Sequence, residues 1–140
     1  MSDFRGLFAI RAYKESDKNF ILSTFLKGLY YGDSWFSMIP KDIFMANYKK
    51  VAVAMVTSPN NLVAIACLPE DPDVILGYSI LNLDGTRLSW VFVKSAWRQK
   101  GIAKALVPPT VTTVTHLSGL GKTLMSKLKQ PTFNPFLGDI

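Results

Sequence analysis

The chain has very few of the residues that build disulfides and metal centres. Its 140 residues contain one cysteine, Cys67, and one histidine, His116. A single cysteine excludes an internal disulfide, and this pair alone makes no cluster of zinc ligands, so we expect no bound metal. Because Cys67 stands inside the apolar run LVAIACL, a small buried thiol is a simpler interpretation than a nucleophile.

Long hydrophobic runs are also missing. The segment MSDFRGLFAIRAYKESD has no apolar stretch of signal-peptide length before its first charges, and no later run approaches the roughly 20 apolar residues of a membrane span. We therefore expect a soluble, cytoplasmic protein without a membrane partner. With 49 % hydrophobic residues the chain has enough apolar material for one domain over residues 1–140.

Acidic side chains are nearly absent from the second half of the chain. Residues 1–85 hold eight basic and nine acidic side chains, whereas residues 86–140 hold eight basic ones and only Asp139. A net charge of −1 is thus followed by one of +7. Such a bias suits an anionic ligand, either nucleic acid, a membrane surface or a polyphosphorylated small molecule, although a basic surface also serves solubility alone.

The first half of the chain begins with one strand and two helices. FAIRAY, residues 8–13, alternates like a strand. Ser16 is then suited to cap a helix whose apolar residues recur at one helical face: Phe20, Ile21, Phe25 and Leu29. The segment YYGDSWFSMIP is expected to be a loop, and residues 41–56 to form a second helix.

The rest of the chain predicts a meander of three strands followed by alternating elements. The strands are residues 61–68, 74–83 and 87–94, and Asp84-Gly85 is a hairpin signal. A short helix from Gly101 must end near Val107, before two prolines. Residues 111–116 are expected to be a strand and 119–129 a helix. The predicted order is β-α-α-β-β-β-α-β-α, an α/β fold with a mixed, mostly antiparallel sheet flanked by helices.

The most distinctive stretch is AWRQKGIAKALV, residues 96–107. A strand, a turn and a helix start aim several unpaired N–H groups at one point, and the helix dipole adds positive potential there. Gly101 permits close approach of a ligand, and Arg98, Lys100 and Lys104 supply charge. The stretch indicates a phosphate site, and the alternative is a solvated turn.

This stretch resembles a known family signature. RQKGIA, residues 98–103, is similar to the Arg/Gln-x-x-Gly-x-Gly/Ala motif of the GCN5-related N-acetyltransferase (GNAT) superfamily, and VFVKSAWRQKGIAKAL resembles the strand, turn and helix around it. Gly77-Tyr78 resembles a segment on the family's preceding strand. The likeness covers roughly residues 8–120. The ending HLS and then FNPF has a weak likeness to short phage members of the group.

The resemblance implies an acetyl-CoA site and a reaction. Acetyl-CoA as cosubstrate is expected to insert between the strand at residues 89–93 and the strand at 111–116, with the diphosphate on the turn. The cofactor-binding residues implied are Val91, Phe92, Val93, Arg98, Gln99, Lys100, Gly101, Ile102 and Ala103. The reaction implied is direct transfer of the acetyl group to a primary amine in a ternary complex, and the protein must help to remove a proton from the amine.

The residues that move protons do not follow the family's pattern. Members often use a carboxylate on the central strands as base and a tyrosine in the last helix as acid, but the last tyrosine here is Tyr78 and the last half has only Asp139. The candidates are His116 as base or acid, Ser118 as a relay, and Asp33 as the group that attracts an amine. Near Asp33, the aromatic residues Tyr30, Tyr31 and Trp35 either line the acceptor site or fold into the core.

Three function classes stay open at this point. The first is an N-acetyltransferase whose acceptor is a protein or a small-molecule amine. The second is a catalytically weak CoA-binding or interaction module, favoured by the missing acid and base. The third is an acyl-transferring enzyme that acts on nucleic acid. Because the part after the last helix is short for the family, a homodimer that completes the acceptor side is a further expectation.

Overall fold

The computed structural model describes residues 7–32, 34–98, 100–116 and 132–133, with the backbone alone at 34, 35 and 133. In chain order its elements are β1 (Ala9–Ala12), α1 (Lys18–Gly32), α2 (Ser34–Ser37), α3 (Lys41–Thr57), β2 (Asn61–Leu68), β3 (Asp71–Asn82), β4 (Arg87–Val93), α4 (Ile102–Leu106), β5 (Thr113–Val114) and β6 (Thr132–Phe133). Short 3-10 turns at Glu15–Asp17 and Ser95–Trp97 precede α1 and the turn to α4.

One sheet organises these elements. Its strands follow the chain in the order β1-β2-β3-β4-β5-β6; the first four are antiparallel, whereas β5 and β6 are parallel to their neighbours. Ile65 on β2 faces Tyr78 on β3, and Ser79 on β3 faces Val91 on β4. The prediction of a mixed, mostly antiparallel sheet is confirmed.

Helices cover the two faces of the sheet unequally. The face covered by α1 and α3, here called the α1–α3 face, carries a core rich in aromatic rings, whose largest buried members are Trp90, Tyr78, Phe25 and Phe44. On the opposite face, here called the α4 face, Ile102 and Leu106 of the five-residue α4 pack among small aliphatic residues such as Val91 and Val93. No helix among the described residues is long and apolar enough to cross a membrane.

Asp17 organises the start of α1. Its carboxylate accepts two hydrogen bonds of 2.8 Å from the Arg11 guanidinium and one of 2.9 Å from the Lys14 N–H. The expectation that Ser16 caps the helix is therefore wrong: Ser16 lies inside the 3-10 turn, and the next residue binds the free main-chain donor. A carboxylate three residues after Lys14 can reach back to that N–H, which a serine one residue earlier does not do here.

Two further predictions are corrected by packing. The expected loop YYGDSWFSMIP is mostly helical, because α1 continues through Gly32 and α2 follows. Tyr30 is buried in that segment, and its hydroxyl donates to the Ile39 carbonyl. The strand expected at 111–116 is only Thr113–Val114. The helix expected at 119–129 lies outside the described residues, and β6 is an additional short strand.

Candidate functional site

An opening lies between β4 and β5. The two strands pair only at Arg87 with Thr113 and at Leu88 with Val114, and the Thr115 N–H then donates to the Leu88 carbonyl at 3.0 Å. Within the described residues no strand pairs with this edge of β4 beyond that point, although β4 continues to Val93. In this part of the chain, the main-chain groups on this side of β4 after Leu88 therefore pair with no strand.

A bulge at Ser89 marks the closed end of the opening. Ile80 faces Trp90 and Leu81 faces Leu88, so Ser89 has no residue opposite it on β3. An extra residue reverses the alternation of side chains. As a result Leu88 lies in the core of the α4 face, and Trp90 turns to the α1–α3 face.

The alternation along β4 determines which main-chain groups face the opening. The Lys94 N–H donates to the Leu76 carbonyl at 2.8 Å, so in this antiparallel pair Phe92 and Trp90 also bond toward β3. The N–H and C=O groups of Val91 and Val93 consequently point the other way. The role of these two residues in binding acetyl-CoA stays a prediction, and the Val93 carbonyl already accepts a 3.1 Å hydrogen bond from Arg98 Nε.

The turn after β4 presents main-chain donors beside this opening. Gly101 has φ +84°, a left-handed conformation that glycine adopts without strain, and precedes α4 directly. The N–H groups of Ile102, Ala103 and Lys104 have no acceptor among the described residues, as is usual in a first helical turn. The Ser79 hydroxyl donates to the Leu106 carbonyl at 2.9 Å and ties the far end of α4 to the sheet.

The charge at the turn is positive. Arg98 and Lys104 are exposed, Lys100 is partly exposed, and no ion pair involves any of the three among the described residues. An added Cβ at Gly101 would meet no described atom within 4 Å, so the space beside this residue is open among the described residues. The donors, the charge and the open space fit an anionic group such as a diphosphate.

His116 follows the last residues that join β5 to β4. Its Nδ1 lies 3.0 Å from the hydroxyl of Thr115, and its ring meets the Phe25 ring edge to face at 5.9 Å. Phe25 in turn packs on Trp90 at 4.8 Å. Burial lowers the pKa of His116 below its ordinary value, so the imidazole is neutral at neutral pH.

Tyr78 does not supply the missing acid. It is fully buried, its hydroxyl lies 2.7 Å from Thr24 Oγ1, and it donates to the Ile21 carbonyl at 3.2 Å. Burial raises the pKa of Tyr78 far above its ordinary value, and the hydrogen bond with Thr24 opposes the shift. The Trp90 indole N–H is buried without a hydrogen-bond partner among the described residues. This cluster holds α1 on the sheet.

Several predicted site residues cannot be placed. Asp33, Gln99 and Ser118 lie outside the described residues, and so does the side chain of Trp35. Tyr31 is exposed, with the Lys41 ammonium 5.4 Å from its ring, whereas Tyr30 belongs to the core. Of the aromatic wall that the sequence suggested, the structure therefore places one residue at the surface and one inside.

A cavity of about 430 Å³ is lined by none of the predicted site residues. It is lined by Asp17, Phe20, Asp73 and Lys94, together with Ser16, Val74 and Ile75. The oxygens of Asp17 are already occupied by Arg11 and Lys14, and the Lys94 ammonium lies over the Phe20 ring at 5.3 Å. We interpret this cavity as the junction between α1 and β3 and do not assign it a ligand.

Sequence reasoning missed two residues at the opening. The sequence places Thr115 only within a β-rich run, yet its N–H contacts Leu88 and its hydroxyl contacts His116. It predicts Ser89 as an ordinary strand residue, and no local pattern in LSWVFV indicates the bulge. Only the register with β3 reveals it.

Comparison with known proteins identifies the fold. No protein-family model and no curated protein matches the chain. Among solved structures, a histone acetyltransferase and related acetyltransferase from Corynebacterium glutamicum is 17 % identical over 71 % of this chain and 67 % of its own, with a TM-score of 0.52.

Two other solved acetyltransferase structures are similar to this chain to about the same degree. AAC(6')-Iy, in complex with the bisubstrate analogue CoA-S-monomethyl-acetylneamine, is 17 % identical over 86 % of this chain and 85 % of its own, with a TM-score of 0.51. A GCN5-related N-acetyltransferase from Rhodopseudomonas palustris is 17 % identical over 71 % and 60 %, with a TM-score of 0.50. The chain therefore has the fold of the GCN5-related N-acetyltransferases.

Proposed function

We propose that the protein is an N-acetyltransferase that uses acetyl-CoA as cosubstrate and a primary amine as acceptor. The observation that carries this proposal is the short β4–β5 pair: among the described residues, no strand pairs with the Val91 main chain, which lies beside a turn rich in N–H donors. AAC(6')-Iy, which shares the fold, holds a bisubstrate analogue that contains CoA. A protein amine and a small-molecule amine both remain possible acceptors.

The residues of the opening have separate roles in this proposal. The N–H groups of Ile102 and Ala103, with the charges of Arg98 and Lys100, hold the diphosphate. The Val91 N–H and C=O bind the pantetheine arm as a neighbouring strand would. Acetyl-CoA supplies an activated acyl group, so that a carbon–nitrogen bond forms, the carbon–sulfur bond breaks and a free thiol leaves.

His116 lies at the closed end of the opening, where an arm running from the turn along β4 would end. Of the two candidates for proton transfer, His116 is described by the structure and Ser118 is not. In this proposal, much of the rate comes from placing the two reactants together.

Binding can be tested at Gly101 with a matched pair of variants. Asparagine and aspartate are nearly equal in size and are the residues that best tolerate the left-handed conformation of this position, so Gly101→Asn and Gly101→Asp differ mainly in charge. At about one hundred times its Kd, acetyl-CoA should stabilise the wild type and Gly101→Asn by roughly 2.7 kcal/mol, or 5 to 10 °C in Tm. Gly101→Asp should lose most of this shift.

Three results separate the function classes. A shift in wild type that Gly101→Asp does not show, together with release of free thiol when amines are added, supports the proposal. The same shift without thiol release from any amine indicates a CoA-binding module. No shift in any of the three folded proteins contradicts the acetyl-CoA site, and salt-dependent RNA or DNA binding would then favour the third class.

A further inference from the structure

Thr115 and His116 form an isolated polar pair at the closed end of the opening. Thr115 is 1 % exposed, and its hydroxyl lies 3.0 Å from His116 Nδ1. Within the described residues, neither that hydroxyl nor His116 Nε2 makes another hydrogen bond. The Thr115 N–H donates to the Leu88 carbonyl, which fixes the residue against β4.

The hydrogen bond between Thr115 and His116 can run in either of two directions. If the imidazole proton were on Nδ1, Nδ1–H would donate to the Thr115 oxygen, and the buried hydroxyl proton would have no acceptor among the described residues. If the hydroxyl donates to Nδ1, the fully buried hydroxyl proton has an acceptor, and the imidazole proton must be on Nε2 of the histidine, which is only partly buried. A buried donor without an acceptor is costly, so the second arrangement is favoured.

The surroundings keep the ring neutral and oriented. Phe25 of α1 packs its ring against the imidazole at an interplanar angle of 74°, and Trp90 supports Phe25 from β4. Burial is the one cause that lowers the pKa of His116, and no charged side chain among the described residues contributes to the shift. A neutral imidazole has a single proton, so its position decides what the other nitrogen can do.

We infer that Thr115 is a positioning residue that holds His116 with its proton on Nε2, so that His116 serves as a hydrogen-bond donor and not as the base. The catalytic part of this inference rests on the proposed function: Nε2–H would donate to the acyl oxygen, on which negative charge develops during attack. A preorganised donor at such a position is a large contribution to catalysis. The amine proton then leaves by another route, such as water.

The tautomer can be measured without any activity. Because His116 is the only histidine in the sequence, ¹⁵N-histidine labelling gives the two imidazole nitrogens of one residue. In the intact protein at neutral pH, Nε2 should resonate as a protonated, pyrrole-type nitrogen and Nδ1 as an unprotonated one. Thr115→Val should move both signals toward a tautomer average, and Thr115→Ser should restore them. Nδ1 protonated in the wild type, or no change in Thr115→Val, would overturn the inference.

The catalytic part is tested by two substitutions at His116. Glutamine can place an N–H near the position of Nε2 but cannot act as a base. Alanine has neither an N–H to donate nor a basic group. A donor role predicts that kcat of His116→Gln stays within about tenfold of wild type while His116→Ala loses about 10²- to 10³-fold. Equal losses in the two variants would contradict it.

The two proposals fail separately. If the wild type binds no acetyl-CoA or acetylates no amine, the proposed function and the catalytic part of the inference are both removed, but the ¹⁵N spectrum still decides the role of Thr115. If the wild type acetylates an amine and His116→Gln loses as much of its kcat as His116→Ala, only the donor role of His116 is contradicted.

Discussion

The two edges of β4 differ in what they hold. Toward β3, five positions pair from Gly77 with Val93 to Leu81 with Leu88, whereas toward β5 two positions pair within the part of the chain that the structure describes. The first edge joins the sheet beneath α1 and α3, and the second edge opens onto the turn before α4. If the proposed function is right, folding stability and ligand binding belong to opposite edges of one strand, so substitutions at alternate residues should separate the two.

The largest effect is expected from proline at two adjacent positions of β4. Phe92→Pro removes an N–H that bonds toward β3, so we expect loss of several kcal/mol and failure to fold cooperatively. Val91→Pro removes an N–H that faces the opening, so its cost in stability should be smaller while the acetyl-CoA shift in Tm is lost. Urea unfolding and ligand-dependent Tm measure the two effects. Equal destabilisation by the two prolines would contradict the division between the edges.

The ion pair of Asp17 and Arg11 joins β1 to the start of α1, on the side of the sheet away from the opening. Asp17 is 2 % exposed, so Asp17→Asn leaves the Arg11 guanidinium poorly compensated and should cost about 3 kcal/mol in urea unfolding. Asp73→Asn is the matched control: its ion pair with Lys14 is exposed, and its loss should change little. A similar cost in both variants would show that the burial of Asp17 adds nothing.

The same carboxylate makes stability depend on pH. Burial opposes ionisation of Asp17, but the hydrogen bonds from Arg11 and Lys14 prevail and hold its pKa below the ordinary value. The unfolded chain therefore binds this proton first as pH falls. Stability from the pair should be fully present above the unfolded pKa near 4 and lost as pH falls through the folded pKa. Asp17→Asn should flatten this part of the stability curve.

Gly77, on the β3 side of β4, should be the next most sensitive position. An added Cβ would lie 2.5 Å from the Phe92 carbonyl oxygen, so Gly77→Ala must push β3 and β4 apart and should cost about 2 kcal/mol. Gly32→Ala, at the exposed end of α1, meets no atom within 4 Å and should be neutral or slightly stabilising. Thermal unfolding of both compares them directly, and an equal effect would rule out the steric cause.

The sequence was informative where local patterns coincide with burial. The predicted bounds of β2 match the structure, and α3 differs by one residue, because long apolar runs and a clear 3.6-residue period leave little choice. The helix predicted from Gly101 begins one residue later, at Ile102, because Gly101 itself has the left-handed conformation of the preceding turn. The resemblance of residues 98–103 to a known motif agrees with the fold that was found.

Other features depend on contacts between distant residues. The bulge at Ser89 comes from the register of β4 against β3, and the bond from Arg98 to the Val93 carbonyl comes from the path of the turn. The start of α1 was misplaced because Asp17 is held by Arg11 of β1, which no local cap pattern contains. Such features are set by tertiary structure, and a single sequence does not show them.

The smallest expected effect is the contribution of His116, beside the opening, to the pH dependence of folding stability. Because burial lowers its pKa in the folded protein, the unfolded chain binds the histidine proton first as pH falls below about 6.5. Stability should therefore be greatest above that pH and decline as pH falls toward the folded pKa, then stop declining on this account. His116→Gln should remove this decline and leave the lower one from Asp17. If the decline persists in His116→Gln, the imidazole is not the buried group that the contacts with Phe25 and Thr115 indicate.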